Sequence, residues 1–380
     1  MEQFKWTLDA ADRSTRGRTG RFRTPHGEVE TPAFMPVGTA GSVKGLLPGL
    51  VRDTGTQVIL ANTYHLALRP GAEVVADLGG LHAFCGWDRT ILTDSGGYQV
   101  FSLAELNRVD DEGVTFRSHV DGAPMRLDPE SATRIQNLLG ADIIMAFDQC
   151  PPSTAAPEVV QAATERSIRW AARCRASHQR SDQALFGIVQ GGLDTELRHR
   201  CAEALVAMDF PGYAVGGLAV GESDEARDAV LAAVTPALPS DRPRYLMGVG
   251  RPIDILRAVA RGIDLFDCVM PTRNGRNSYA FTSRGTVRLR NEKYKRSREP
   301  LDPECDCPAC RNFSLGYLRH LFLAGEMLGP ILASLHNIAY YQRWMQRIRR
   351  SIGEGTLGDW LAREMAAPAA NAGDADEDGS

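Results

Sequence analysis

The sequence predicts an α/β protein, a (β/α)8 barrel with a further subdomain after its eighth strand. Three observations carry this: eight short apolar, β-rich runs alternate with helical patterns, no Gly-x-Gly-x-x-Gly follows the first run, and a tight cysteine cluster lies beyond the eighth. Alternating buried strands and helices argue for a parallel sheet, and eight such units argue for its closure. An open doubly wound sheet is the alternative, and it lacks its glycine signature here.

The candidate strands are residues Ala33–Val37, Gln57–Ala61, Thr90–Thr93, Asp142–Phe147, Leu185–Val189, Gly212–Gly216, Arg244–Met247 and Asp264–Cys268. Between them, Asp128-Pro129-Glu130 reads as an N-cap with Pro at the first helical position. Ala156–His178 and Glu196–Met208 have helical apolar spacing, Ser223 is placed to cap Asp224–Val234, and Pro252 opens a helix with Ile253, Leu256 and Val259 on one face. A long helical stretch over roughly Ser314–Arg350 ends the patterned region. The division that follows is a barrel with an N-terminal extension over 1–278, a basic, metal-binding subdomain over 279–340, a C-terminal helical region closing on the barrel over 341–365, and a disordered acidic tail over 366–380.

Composition bounds the function classes. With 380 residues, 43% hydrophobic and 24% charged, the chain is an ordinary globular protein with a substantial core. No run reaches the roughly 20 apolar residues of a membrane helix, and the polar N-terminus has no signal core, so the expected location is the cytoplasm. The net charge of -4 hides an asymmetry. Residues 271–300 carry Arg273, Arg276, Arg284, Arg288, Arg290, Lys293, Lys295, Arg296 and Arg298 against Glu292 and Glu299, while Asp374, Asp376, Glu377 and Asp378 crowd the tail. A local basic face binds phosphates whatever the global sign, although a solvated surface is the bland reading of the same run.

In a barrel enzyme the site is built at the C-terminal ends of the strands. Here the third strand runs into Asp94-Ser95-Gly96-Gly97-Tyr98-Gln99 and the fourth into Asp148-Gln149-Cys150-Pro151. The fifth reaches Gln190-Gly191-Gly192, the sixth Gly216-Gly217-Leu218, the seventh Gly248-Val249-Gly250, and the eighth ends at Asp267-Cys268-Val269-Met270-Pro271. Singly, such an Asp is often a helix cap and Gly-Gly a tight turn. Together they bring three carboxylates, an amide and bare backbone to one mouth. Two carboxylates flanking a glycosidic bond permit displacement at an anomeric carbon. An Asp, a Gln and backbone amides can bond the edge of a flat heterocycle, with a Tyr stacked on its face.

Cys305, Cys307 and Cys310 form Cys-x-Cys-x-x-Cys, a spacing that wraps thiolates around one soft cation. His336 is the nearest candidate for a fourth ligand, with His320 beside it. Three Cys and one His close a tetrahedral zinc site with no position open to water, which makes the metal structural.

The motifs ILTDSGGYQVFS, FDQCPP, FGIVQGG, GGLAVGE, YLMGVG, FDCVMPTRNGRN and CDCPAC followed by His336 together resemble the bacterial tRNA-guanine transglycosylases, a resemblance that extends from HGEVETPAFMPVGT to the helices after His336. It implies exchange of guanine at the anticodon wobble position of tRNAs with a G-U-N anticodon (Asp, Asn, His and Tyr acceptors) for 7-aminomethyl-7-deazaguanine, a queuosine precursor. By the same resemblance Asp267 is the nucleophile and Asp94 the general base. The implied substrate set is Asp94, Ser95, Gly96, Gly97, Tyr98, Asp148, Gln190, Gly217, Leu218 and Met247, with Tyr98 and Met247 sandwiching the ring. Gly248, Val249, Gly250, Arg251, Pro252, Ile253 and Asp254, then Thr272, Arg273, Asn274, Gly275 and Arg276, match the RNA-contacting segments. Cys305, Cys307, Cys310 and His336 match the ligands of one structural Zn2+. A homodimer is implied, to which Phe313–Phe322 could contribute or else pack on the barrel. Val220 and Cys150 fit the bacterial branch, whose pocket takes the smaller aminomethyl base. Two rivals stand against this. A metal-dependent barrel hydrolase would want His-x-His after the first strand, which is absent from the sequence. A non-catalytic RNA-binding partner subunit would have lost Asp94 or Asp267, and both are present.

Overall fold

The computed structural model describes residues 3–103, 107–118, 120, 122–152, 154–219 and 221–366. Its strands in chain order are β1 Thr7–Ala11, β2 Arg18–Thr24, β3 Gly27–Thr31, β4 Ala33–Pro36, β5 Val58–Ala61, β6 Thr90–Thr93, β7 Asn107–Val109, β8 Val114–Arg117, β9 Pro124–Leu127, β10 Ile143–Met145, β11 Ala184–Val189, β12 Tyr213–Val215, β13 Arg244–Leu246, β14 Leu265–Cys268, β15 Tyr279–Thr282 and β16 Gly285–Arg288.

All eight expected barrel strands are present, each within a residue or two of its expected bounds. They pair in parallel in the order β4-β14-β13-β12-β11-β10-β6-β5, and a parallel bridge between Val37 and Leu60 joins the two end strands to close the barrel. Alternation along each strand divides the core in two. Met35, Leu60, Leu92, Ile143, Met145, Phe186, Ile188, Ala214, Tyr245 and Leu265 fill the barrel. Their neighbours Phe34, Ile59, Ile91, Ile144, Leu185, Val215, Leu246 and Phe266 face outward against the helices. Helix starts follow the cap chemistry: Asp128 forms a capping box with Ser131 ahead of Pro129–Leu139, and the Ser223 side chain accepts from Ala226 N to start Asp224–Val234.

Three elements have no counterpart in the expected pattern. Strands β1–β3 form an antiparallel sheet whose Phe22 and Val29, with Phe4 and Trp6 just ahead of β1, join the barrel's interior cluster, so the N-terminal segment plugs the end of the barrel where the strands begin. It is anchored there by Arg18, which packs over the Trp6 ring and forks onto the buried Asp264 carboxylate at 3.0 and 2.7 Å. A second antiparallel sheet, β7–β9, stands between β6 and the helix Pro129–Leu139. A hairpin, β15–β16, follows β14. With one end plugged, the mouth at the C-terminal ends of the strands is the open one.

The long terminal stretch is not one helix. It breaks into Leu315–Ala324 and Leu328–Glu354, because Gly325 takes a left-handed conformation that ends the first helix. The longer helix packs on Met270–Arg276, where a Cβ on Gly275 would lie 2.6 Å from Ser334 N, so only glycine permits the approach. A separate apolar cluster, including Ala280, Leu289, Leu301, Leu315, Leu318 and Leu332, surrounds the three clustered cysteines. Among the described residues no helix is long and apolar enough to cross a membrane. The acidic residues Asp374, Asp376, Glu377 and Asp378 lie outside the described residues.

Candidate active site and metal centre

The open mouth gathers what the strand ends supply. Asp94 follows β6 directly and is buried. It accepts hydrogen bonds from Thr63 N at 2.8 Å, from Gln99 Nε2 at 2.9 Å and from Asn62 Nδ2. Burial nevertheless raises its pKa to about 6, the Asn62 and Thr63 bonds pulling down and the nearby Asp267 carboxylate pushing further up. A carboxyl poised there can take a proton near neutral pH.

Asp148 lies two residues beyond the outward-facing Ala146. It accepts from Ser95 Oγ at 3.1 Å on one oxygen and from Gln190 Nε2 at 2.7 Å on the other, so the ends of β6, β10 and β11 meet at one carboxylate. Burial pushes its pKa up, opposed by those two bonds. The turn demands glycine: a Cβ on Gly97 would sit 2.7 Å from Asp148 O, and Gly96 has φ +79°. On the next strand, Gly217 (φ +67°) brings its backbone against Gln190, where a Cβ would lie 2.8 Å from Oε1. Leu218 is fully buried behind it.

Asp267 occupies the third position of β14. Tyr245 OH donates to its Oδ1 at 2.6 Å and Gly248 N to the same oxygen at 2.7 Å. Burial raises its pKa and these two donors oppose it. Two donors on one oxygen fix the carboxylate's orientation. Tyr98 is 51% exposed on the helix Gly97–Leu103, and Met247 is half-buried, packed on the barrel's interior cluster.

The two expected RNA-contacting segments flank this mouth and differ in what they present. In the first, Val249, Gly250 and Asp254 are buried, whereas Gly248 and Arg251 are exposed. Arg251 forks onto Asp254 at 2.7 and 2.9 Å, and Asp254 also holds Arg227 at 2.9 Å. In the second, Thr272 and Gly275 are buried, while Arg273 is exposed and Arg276 half-buried. Burial and the like charge of Arg273 lower the Arg276 pKa. Further along the basic run, Glu292 pairs with both Lys295 and Arg319. Val220 lies outside the described residues. Cys150 is a neutral thiol, its pKa pushed up to about 12 by burial and by Asp148.

Cys305, Cys307, Cys310 and His336 are all buried, and their ligand atoms lie within 4.8 Å of one another. His336 Nδ1 stands 3.2 Å from Cys310 Sγ and 3.7 Å from Cys307 Sγ, against the sulfur–nitrogen edge of about 3.6 Å that a tetrahedral zinc site requires. The other ring nitrogen is 2.7 Å from Phe281 O, which fixes Nδ1 as the coordinating atom. Four protein ligands that fit one tetrahedral cation make this a structural metal site. His320 lies elsewhere, tilted against the Tyr317 ring.

Three polar residues beside this mouth go beyond the strand ends read from the sequence: Asn62, Tyr245 and the buried Arg198, whose Nη1 reaches Val189 O and Gly216 O. Asn62 stands one residue past β5 and is open to the same strand-end rule as Asp94. Its expected effect is testable. A hydrogen bond to a charged group contributes about 1.5–3 kcal/mol, so Asn62→Leu should raise the Asp94 pKa. If Asp94 acts ionised, activity is lost as pH falls through about 6. The variant should lose roughly tenfold more rate at pH 6 while its pH 8 plateau stays close to wild type, and a pH–rate profile reads this directly.

A parallel barrel with three carboxylates and an amide at its strand ends, and a four-ligand metal site in the segment that follows, defines a barrel enzyme with a carboxylate-rich site. Comparison with known proteins places it further. Residues 12–369 match the family described as queuine tRNA-ribosyltransferase, and the chain belongs to that family. It is 56% identical to a queuine tRNA-ribosyltransferase of Stenotrophomonas maltophilia (strain K279a) over 94% of this chain and 95% of that one. It is 53% identical to one from Thermus thermophilus, over 96% and 94% respectively. The Geobacillus thermodenitrificans protein of the same name is 54% identical over 92% of each.

Proposed function

We propose that this chain exchanges guanine at the wobble position of G-U-N tRNAs for 7-aminomethyl-7-deazaguanine by two displacements at one ribose carbon. The observation that carries the reading is that the three carboxylates of the mouth stand in three different environments. Asp267 is oriented through Oδ1 by two donors, burial raises the Asp94 pKa to about 6, and Asp148 with Gln190 forms a buried hydrogen-bonded pair.

In this reading Asp267 attacks C1′ of the wobble nucleotide, and the C1′–N9 electron pair departs with guanine, which water protonates. Ionised Asp94 then takes the N9 proton of the incoming base, N9 attacks C1′, and Asp267 leaves as carboxylate. Two inversions give net retention. Asp148 accepts from the N1–H and 2-amino group of the base, Gln190 and the Gly217 amide meet the adjoining carbonyl oxygen, and Tyr98 and Met247 flank the ring. Ser95, Gly96, Gly97 and Leu218 shape the pocket. Gly248–Asp254 and Thr272–Arg276 take the RNA backbone, a contact that fixes register without reading sequence. The wobble base reaches the pocket by flipping out of the anticodon loop.

The barrel, 1–278, carries this chemistry. Residues 279–340 hold one Zn2+ on Cys305, Cys307, Cys310 and His336, which supplies folding energy and no reacting position. A homodimer in the cytoplasm completes the reading. The helix Leu315–Ala324 turns Leu318, Leu321 and Phe322 inward and leaves Tyr317 and Leu323 exposed, so that outer face is what it offers a second copy. The test of activity is incorporation of labelled guanine into an unmodified G-U-N transcript. Incorporation should vanish in a transcript whose wobble guanine is replaced, and label entering that control would refute the site assignment.

A further inference from the structure

Arg198 is fully buried on the helix Thr195–Ala207. Its Nε donates to Gly192 O at 2.9 Å, and its Nη1 to Val189 O and Gly216 O, both at 2.8 Å. These carbonyls bracket Gln190 on one strand end and immediately precede Gly217 on the next. One side chain therefore ties together the two backbones that present the base-recognition amide and Gly217. Its Nη2 has no hydrogen-bond partner among the described residues. That nitrogen is buried directly behind Gly217: a Cβ there would lie 3.6 Å from it, 2.8 Å from Gln190 Oε1 and 3.4 Å from Cys150 Sγ.

Joining three carbonyls accounts for a multi-donor side chain but not for a buried cation with an edge left over. A desolvated guanidinium is costly, and an unsatisfied buried donor adds to that cost. Burial lowers the Arg198 pKa to about 10, so the group stays charged at neutral pH. A fixed positive charge behind Gln190 and Gly217 favours an oxygen acceptor against that wall and disfavours an amino group there. We infer that Arg198 is a positioning and specificity-determining residue for the base: it sets Gln190 and Gly217 against Asp148, and its cationic edge selects a ring presenting a carbonyl oxygen over one presenting an amino group.

This rests on the base-exchange reading, and the experiment separates the two. Arg198→Lys keeps the charge and loses the fork, whereas Arg198→Gln loses both. For each, KM for guanine, KM for the transcript and inhibition by 2,6-diaminopurine are measured beside thermal unfolding. The fork predicts guanine KM raised by about tenfold or more in both variants, with transcript KM within about twofold of wild type. The charge predicts that preference for guanine over 2,6-diaminopurine narrows by roughly tenfold in Arg198→Gln and is largely kept in Arg198→Lys. Guanine KM unchanged in folded variants would overturn the proposal. So would guanine and transcript KM rising together with a lowered melting temperature, since that marks a purely structural arginine. If Arg198→Gln does not fold, the KM split in Arg198→Lys decides. Failure of wild-type protein to incorporate guanine would instead fault the base-exchange reading.

Discussion

Asp267→Asn should abolish guanine incorporation, lowering the rate by at least about 10⁴-fold. The substitution is chosen for what it preserves. An amide oxygen can still accept from Tyr245 OH and Gly248 N, which now hold Oδ1 at 2.6 and 2.7 Å, and the pocket keeps its shape. What disappears is the anionic oxygen that attacks carbon. The amide also removes a negative charge that raises the Asp94 pKa, so Asp94 ionises more readily and the loss cannot be assigned to the base. Transcript binding should survive, because the exposed Arg273 and the half-buried Arg276 are untouched. A gel-shift assay beside the activity assay makes that distinction. Retention of more than a few per cent of activity would show that another group attacks the sugar.

Cys310→Ser should remove the metal and, with it, the order of the subdomain. Metal content is expected to fall from about one to near zero per chain, and structural zinc contributes on the order of 10 kcal/mol in isolated zinc fingers. The damage should reach the mouth by a specific route. His336 lies on Leu328–Glu354, and on that helix Asn337 donates to both Pro271 O and Tyr279 O at 2.9 Å. Pro271 immediately precedes the segment proposed to take RNA. Transcript KM should therefore rise well before KM for guanine, and thermal unfolding should show an early transition missing from wild type. A variant that keeps both its metal and its melting curve would remove Cys310 from the ligand set.

What can be read in the sequence follows a physical division. Parallel strands covered on both faces are continuous apolar runs, so β4, β5, β6 and β10–β14 stand out, and whatever polar residue ends such a run is exposed to notice. Asp94, Asp148, Gln190 and Asp267 are legible that way. Asn62 obeys the same rule, although a lone amide after an apolar run carries less chemical signal than a carboxylate. Tyr245 is different: it lies inside β13, a large side chain in an apolar run, and only the barrel's alternation shows that its hydroxyl reaches the Asp267 carboxylate. Arg198 sits on a helix in a charged stretch, Leu197-Arg198-His199-Arg200, where nothing marks one arginine as buried. The plug β1–β3 is hidden by its polarity, since Phe4, Trp6, Phe22 and Val29 are sparse among charges. For β7–β9, the alternation Val114-Thr115-Phe116-Arg117 is a legible strand signal, lying in what an eight-unit count treats as a loop.

A covalent bond between Asp267 and the ribose of the wobble nucleotide is the central step of the proposed exchange. The most direct measurement is mass spectrometry of the complex trapped by denaturation after mixing protein and an unmodified G-U-N transcript without an incoming base. The expected product is an adduct equal to protein plus transcript minus guanine, mapping to the Asp267 peptide and absent with Asp267→Asn. An adduct on another residue, or efficient exchange by Asp267→Asn, would contradict it.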